Sequence, residues 1–241
     1  MTEPLVLLHG FTGSPASWDE VLAGLPGRPA LRLALAGHAG APPPQPGFEL
    51  EVDRLARLLP DEPVHLAGYS LGARLALALT LRHPRAVRRL TLIGVHPGLD
   101  SDSARAERRR SDAELATLLE TRGLAAFLEH WENQPLFRSQ HHLDAARRER
   151  KRAERLSHDP RGLAASLRSV GLAEMPDYRP QLGFLTQPLT VLAGELDEKF
   201  VSLARGVARL VPRAALVVVP GAGHDLLLER PEQVAGALRG D

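Results

Sequence analysis

Three polar side chains stand just beyond short apolar runs, in the chain order Ser70, Asp197, His224. A serine hydroxyl is a poor nucleophile or base near neutral pH unless an imidazole lies within hydrogen-bond reach. The imidazole in turn needs a carboxylate to fix its tautomer and stabilise its charged form. Ser70 lies in Gly68-Tyr69-Ser70-Leu71-Gly72, between the run Val64-His65-Leu66-Ala67 and an apolar stretch reaching Leu81. That context reads as a strand, a very sharp turn and a helix. Such a turn needs strained angles at the serine, and side chains on the flanking positions would collide, so both are Gly. The N–H groups and positive dipole end of the following helix favour negative charge beside the hydroxyl. Asp197 follows Gly194-Glu195-Leu196, and His224 ends Pro220-Gly221-Ala222-Gly223-His224. Singly, the carboxylate reads as a loop cap and the histidine as a surface residue; jointly they complete a triad. Glu195 and Asp225 are rival acids, and loop position favours Asp197.

Arg74 is the second informative residue. Residues 71–81 are apolar nearly all round, with Arg74 as the lone charge, one turn beyond Ser70 and on roughly the same face. A buried guanidinium without an anion is very costly. Its partner is either an internal acidic side chain or a carboxylate on a substrate. A plain esterase needs no cation there.

The elements that present these groups alternate. Apolar runs at 5–8, 31–36, 64–67, 89–94, 189–193 and 215–219 read as strands, and their continuous hydrophobicity suits strands covered on both faces. Helical spacing falls at 17–24, 48–59, 71–82, 203–211 and 231–239. The proline-rich loop 41–46 can be neither helix nor central strand. Alternation implies an α/β fold, a mostly parallel sheet with helices on both faces. Ser, Asp and His delivered in that order by strand-end loops is the order of the α/β-hydrolase fold. Residues 100–180 break the pattern with many charges, helical spacing at 112–120, 124–131 and 144–156, and no convincing strand. The expected organisation is a core of 1–98 and 181–241 and an inserted helical cap of 99–180 over one edge of the sheet. Ligands bind beyond the carboxyl ends of such strands, where His9, Ser70, His96 and the 194–197 loop lie. Most cap arginines read as solvated faces paired with neighbours such as Glu107, Glu149 and Glu154; one or two pointing inward would make the pocket positive.

The bulk properties exclude several classes. The chain has 241 residues, with 30 Lys and Arg against 29 Asp and Glu, so no global charge argues for nucleic acid or a membrane surface. It has no cysteine, which excludes disulfides and thiol catalysis. No stretch reads as a signal peptide or a spanning segment, and the expectation is a soluble cytoplasmic protein. His141 and His142 are adjacent and cannot share the helical geometry of a metalloprotease pair, and no phosphate-cradling Gly-x-x-x-x-Gly-Lys stretch occurs. Neither metal nor cofactor is expected.

The elbow Gly68-Tyr69-Ser70-Leu71-Gly72-Ala73-Arg74 resembles that of the 2-succinyl-6-hydroxy-2,4-cyclohexadiene-1-carboxylate synthases, the MenH family of menaquinone biosynthesis. So do His96-Pro97-Gly98-Leu99, Arg105-Ala106-Glu107-Arg108-Arg109-Arg110-Ser111-Asp112, Trp131-Glu132-Asn133-Gln134-Pro135-Leu136-Phe137, Gly194-Glu195-Leu196-Asp197-Glu198-Lys199-Phe200 and Gly221-Ala222-Gly223-His224. The resemblance covers nearly the whole chain, and the cap segments with Arg74 separate this family from esterases and C–C hydrolases. It implies a lyase on a hydrolase scaffold, removing pyruvate from a cyclohexene acid by 2,5-elimination. Ser70, activated by His224 and Asp197, would be the base, and the N–H groups of Phe11 and Leu71 would hold the enolate. Arg74, Arg108 and Arg155 would bind substrate carboxylates, and Tyr69, Trp131, Phe137 and Lys199 would line the site. The implied partner is a small anionic substrate, with room for transient contact with neighbouring pathway enzymes. Two departures stand out: Ala36-Gly37-His38-Ala39-Gly40 replaces the frequent Leu-Pro-Gly-His-Gly, and the 41–46 loop is unusual. A serine hydrolase of carboxylic esters or C–C bonds is the alternative, because it would share the triad.

Overall fold

The computed structural model describes residues 3–240. Met1, Thr2 and Asp241, within the expected core ranges, lie outside the described residues. Among the described residues, six parallel strands form one sheet. They are β1 (Leu5–Leu8), β2 (Ala30–Leu33), β3 (Val64–Tyr69), β4 (Val87–Ile93), β5 (Leu189–Gly194) and β6 (Ala214–Val219), in the order β2-β1-β3-β4-β5-β6. The helices are α1 (Asp19–Ala23), α2 (Phe48–Ala56), α3 (Leu71–Arg82), α4 (Asp102–Glu132), α5 (Ala145–Leu156), α6 (Pro160–Val170), α7 (Glu198–Leu210), α8 (Leu226–Glu229) and α9 (Pro231–Arg239).

Alternation of side chains along the strands sorts the core into two layers. Val6, Leu8, Leu66, Leu90, Leu92 and Val191 face α2, α3 and α7. Leu5, Leu7, Ala67, Ile93 and Leu192 face the other way, against Trp18, Val21 and the apolar sides of α8 and α9. The middle strands therefore have no polar face to show, which is why they read as unbroken apolar runs. Truncating a fully buried side chain such as Leu66 to Ala costs about 2–5 kcal/mol.

Between β4 and β5 the chain is helical. α4 is interrupted at Gly123, whose φ of 75° and ψ of 179° are not helical. This separates the two helical stretches expected at 112–120 and 124–131. α4 and α6 bury Ala116, Leu119, Phe127, Leu128, Leu163, Ala164 and Leu167 in a small core of their own. Asp144 and Asp159 cap α5 and α6 by accepting from Arg147 N and Arg161 N, and Pro160 occupies the first turn of α6. Two cap cations keep a same-helix acid, Lys151 with the expected Glu154 and Arg108 with Asp112. Among the described residues, Glu107 and Glu149 form no ion pair. Instead Arg109 meets Glu174, Arg147 and Arg150 meet Glu20, and Arg152 and Arg155 share Glu132. Tertiary partners stand beside the two same-helix pairs.

Element boundaries shift where side chains take over backbone hydrogen bonds. β2 ends at Leu33 rather than residue 36, because the Leu35 and Ala36 N–H groups turn to His9 Nε2 (3.1 Å) and Glu51 Oε1 (2.9 Å). α7 begins at Glu198 rather than residue 203, because Asp197 Oδ1 accepts from Phe200 N (3.3 Å) as its cap. Among the described residues no helix is long and apolar enough to cross a membrane.

Candidate active site

The end of β3, the start of α3 and the loops after β5 and β6 meet at one point. Ser70 links β3 to α3 with φ 52° and ψ −105°, a conformation that costs about 1–3 kcal/mol and persists only where surroundings impose it. What imposes it is packing of backbone on backbone. A methyl group at Gly72 would overlap the carbonyl oxygens of Leu8 and His9, at the end of the neighbouring strand β1. Only glycine lets α3 start so close to the sheet.

His224 Nδ1–H donates to Asp197 Oδ2 at 2.8 Å, which leaves Nε2 to accept from Ser70 Oγ–H at 3.0 Å. The imidazole is fenced by the rings of Phe200, with centroids 4.3 Å apart, and Tyr69, 5.5 Å apart. The rival acids are engaged elsewhere. Glu195 accepts from Gly221 N (2.9 Å), and Asp225 caps α8 through Leu228 N (3.3 Å). The acid and histidine loops pass each other with no space between their backbones. A methyl group at Gly194 would overlap the carbonyl oxygens of Ala222 and Gly223.

The loop after β1 closes the other side of the serine. Leu8 pairs in register with Gly68, so residues 9–13 leave the sheet beside the elbow. The Gly10 carbonyl accepts from His9 Nδ1 (2.8 Å) and Gly13 N (3.0 Å). In a planar trans peptide the Phe11 N–H points opposite that carbonyl, so these two bonds fix the direction of the Phe11 donor. His9 is fully buried, and burial pushes its pKa down to about 3. It is a neutral strut. Leu71 is the first residue of α3, so its N–H has no partner within the helix.

A cavity of about 990 Å³ lies over this point, between the sheet and the helical insertion. The residues proposed from the sequence for the triad, the oxyanion donors and substrate binding all line it: Ser70, Asp197 and His224; Phe11 and Leu71; Tyr69, Arg74, Arg108, Trp131, Phe137, Arg155 and Lys199. His9 and Glu195 do not line the cavity. Its cations differ in how they are paired. Arg108 Nε donates to Asp112 Oδ1 (2.9 Å), and Arg155 Nη1 donates to Glu132 Oε1 (3.0 Å) with its guanidinium 5.4 Å from the centre of the Phe137 ring. Arg74 has no ion pair among the described residues; its Nη1 donates to the Val170 carbonyl at 3.2 Å. Burial first, then Arg108, pulls its pKa down to about 9, with Asp112 opposing. It stays charged near neutral pH.

His96 also faces the cavity. Its Nδ1 accepts from Gly98 N (3.2 Å), so the proton sits on Nε2, and burial together with Lys199 and Arg74 pulls its pKa down to about 3. Asp112 and Glu132, the counterions of two cavity arginines, were not separable in the sequence from other charged cap residues. Burial raises the Asp112 carboxyl above its usual range despite Arg108 beside it.

Comparison with known proteins gives a consistent result. The family described as alpha/beta hydrolase fold matches residues 3–231. The 2-succinyl-6-hydroxy-2,4-cyclohexadiene-1-carboxylate synthase of Enterobacter sp. (strain 638) is 35% identical over 242 residues, covering 97% of this chain and 89% of that protein. The synthase of the same name from Salmonella newport (strain SL254) is 36% identical over 241 residues, covering 98% and 92%. MenH from S. aureus superposes with a TM-score of 0.94 at 30% identity, over 99% of this chain and 92% of that one. A thermophilic esterase from Thermogutta terrifontis reaches 0.84 at 27% identity, over 100% and 89%. The likeness to the synthases runs through the helical insertion as well as the sheet, and the chain belongs to the α/β-hydrolase superfamily and, within it, to the 2-succinyl-6-hydroxy-2,4-cyclohexadiene-1-carboxylate synthases.

Proposed function

We propose that the protein is a carbon–oxygen lyase of menaquinone biosynthesis. It eliminates pyruvate from 2-succinyl-5-enolpyruvyl-6-hydroxy-3-cyclohexene-1-carboxylate to give 2-succinyl-6-hydroxy-2,4-cyclohexadiene-1-carboxylate. The single observation that carries the reading is Arg74, a buried guanidinium in the cavity that hydrogen-bonds a backbone carbonyl and forms no ion pair among the described residues, one turn from Ser70. A substrate carboxylate supplies the anion that the fold withholds.

Ser70 Oγ gives its proton to His224 Nε2 as it takes the ring proton beside the succinyl carbonyl, and Asp197 stabilises the imidazolium. The electron pair moves onto the carbonyl oxygen, where the N–H groups of Phe11 and Leu71 receive it. When that carbonyl re-forms, the pair shifts through the ring double bond and breaks the bond to the enolpyruvyl oxygen. The departing enolpyruvate takes up a proton and becomes pyruvate. Arg74 holds one acidic group, and Arg108, Arg155 and Lys199 hold the rest of the charge in place while Trp131, Phe137 and Tyr69 wall the ring. The reading goes with a small anionic substrate and a cytoplasmic location, and needs no cofactor.

The test is to incubate the purified protein with the enolpyruvyl precursor and follow pyruvate release. A second reading, hydrolysis of a carboxylic ester, is favoured by the Ser70–His224 hydrogen bond, which also suits an acylating serine. A burst of acyl-Ser70 with an ester, and no pyruvate from the precursor, selects the second reading.

A further inference from the structure

The loop carrying Phe11 is hydrogen-bonded to the cap as well as following β1 of the sheet. Ser14 Oγ and Ser17 Oγ each donate to Glu154 Oε1 at 2.6 Å, and Lys151 Nζ donates to Ser17 Oγ at 3.3 Å and to Glu154 Oε2 at 3.0 Å. Just beyond α5, His158 Nε2–H donates to the Thr12 carbonyl at 3.1 Å. His158 Nδ1 accepts from Ala39 N (3.2 Å), so its tautomer is fixed in the donating form. The cap also grips Phe11 itself: its ring meets Trp131 edge to face, centroids 5.4 Å apart, and Phe127 at 6.2 Å.

These bonds close on a strained residue. Thr12 is buried and β-branched with φ 61°, a conformation that relaxes unless its neighbours forbid it. Its carbonyl is held by His158, and the serines that follow are held by Glu154. Burial works against the charged form of Glu154, yet Lys151 and the two hydroxyls hold its carboxyl below the usual range, so it is an anion when it accepts from both.

Glu154 and Arg155 are consecutive on α5. Arg155 lines the cavity; Glu154 and His158 do not. Successive residues on a helix point about 100° apart, so one helix meets the substrate acid on one side and the loop on the next.

We propose that Glu154 and His158 are positioning residues for the oxyanion donor: from the helix that carries Arg155, they hold loop 10–17 so that the Phe11 N–H faces Ser70. Neither touches substrate. The geometry stands without the lyase reading; only the choice of natural substrate rests on it.

The experiment compares Glu154→Ala, Glu154→Gln, His158→Ala and His158→Gln with the parent, measuring kcat and KM for pyruvate release. The same series is read with p-nitrophenyl acetate, whose tetrahedral oxyanion needs the same two N–H groups. Both alanine variants are expected to lose about 10- to 100-fold in kcat with KM within about twofold, as befits a misaimed donor. Glu154→Gln keeps an oxygen for both serines and His158→Gln keeps an N–H, so each recovers to within about threefold of the parent. If Glu154→Ala does not fold, the His158 pair decides alone. Unchanged kcat in the alanine variants, a loss confined to KM, or glutamine variants as impaired as the alanine ones overturns the proposal. A parent that hydrolyses the ester but releases no pyruvate overturns the lyase reading alone, and a parent inactive in both assays overturns both.

Discussion

Arg74 donates to the Val170 carbonyl and has no carboxylate of its own among the described residues, although it is buried beside the serine. A buried cation without an ion pair costs stability, and in the proposed reaction it meets a substrate carboxylate, so the two effects separate on substitution. Arg74→Met is expected to cut kcat/KM for pyruvate release at least about 30-fold, because truncating a buried charge partner costs about 2–5 kcal/mol. The same change removes a buried cation that forms no ion pair among the described residues, so thermal stability should hold or rise. Steady-state kinetics and a thermal melt on one preparation check both. A parent-like kcat/KM with a lowered Tm would mean that Arg74 serves the fold and not the substrate.

Asp197 has two duties, one per oxygen. Oδ2 accepts from His224 Nδ1 and Oδ1 caps α7. Asparagine caps helices well but cannot impose the same imidazole tautomer. Asp197→Asn should lose about 10³- to 10⁴-fold in kcat with little change in Tm. Asp197→Ala should lose the same activity and about 1 kcal/mol of stability as well. Equal melting of the two variants would deny the capping role.

Acid should destabilise the fold before most carboxylates titrate. His9, His65 and His96 have their pKa values lowered to about 3, chiefly by burial. Their unfolded value is 6.5, so between these values the unfolded chain binds more protons than the folded one. Stability is therefore fully present above pH 6.5 and falls as pH drops toward 3, each group adding a slope of about 1.4 kcal/mol per pH unit. Urea unfolding midpoints should be level above about pH 7 and fall steadily below about pH 6. A level midpoint down to about pH 5 defeats the prediction.

Gly194 sits where the acid loop leaves β5, against the Ala222 and Gly223 carbonyls. Gly194→Ala should push the two loops apart and lengthen the Asp197–His224 bond. Activity should fall at least about 100-fold, since displacing a catalytic group by about 1 Å costs that much. The side-chain carbons of Arg74 and Trp131 do not depend on this contact, so product binding followed by tryptophan fluorescence should persist. Loss of binding along with turnover would point to general disruption.

The sheet was legible because its inner strands are covered on both faces and so spell continuous apolar runs, as in Leu5-Val6-Leu7-Leu8. The meeting of Ser70, Asp197 and His224 was legible because each follows such a run at the same end of the sheet. The start of α7 was misplaced because Asp197 reads as a catalytic acid and hides its second use as a cap. The end of β2 was misplaced because His9 and Glu51, distant in sequence, replace the ladder there. Spacing along the cap helices encodes the pairs Arg108–Asp112 and Lys151–Glu154. The partners of Arg109, Arg147 and Arg152, which are Glu174, Glu20 and Glu132, come from tertiary packing, which spacing along one helix does not encode. Glu154 and His158 carried no signal at all, since a glutamate on a charged helix and a histidine after it look like solvent-facing residues until Ser14, Ser17 and Thr12 are folded against them.

Glycine-only crossings fix the turn at Ser70 and the passage between the acid and histidine loops, where main chain rests on main chain. Nothing there can be enlarged, so selection, natural or in the laboratory, has no small step by which to remodel that half of the cavity. The roof is different: it is made of long side chains on helices with their own small core, and those can be exchanged singly. New substrates for this scaffold should therefore arrive through edits to the roof, with the floor inherited unchanged.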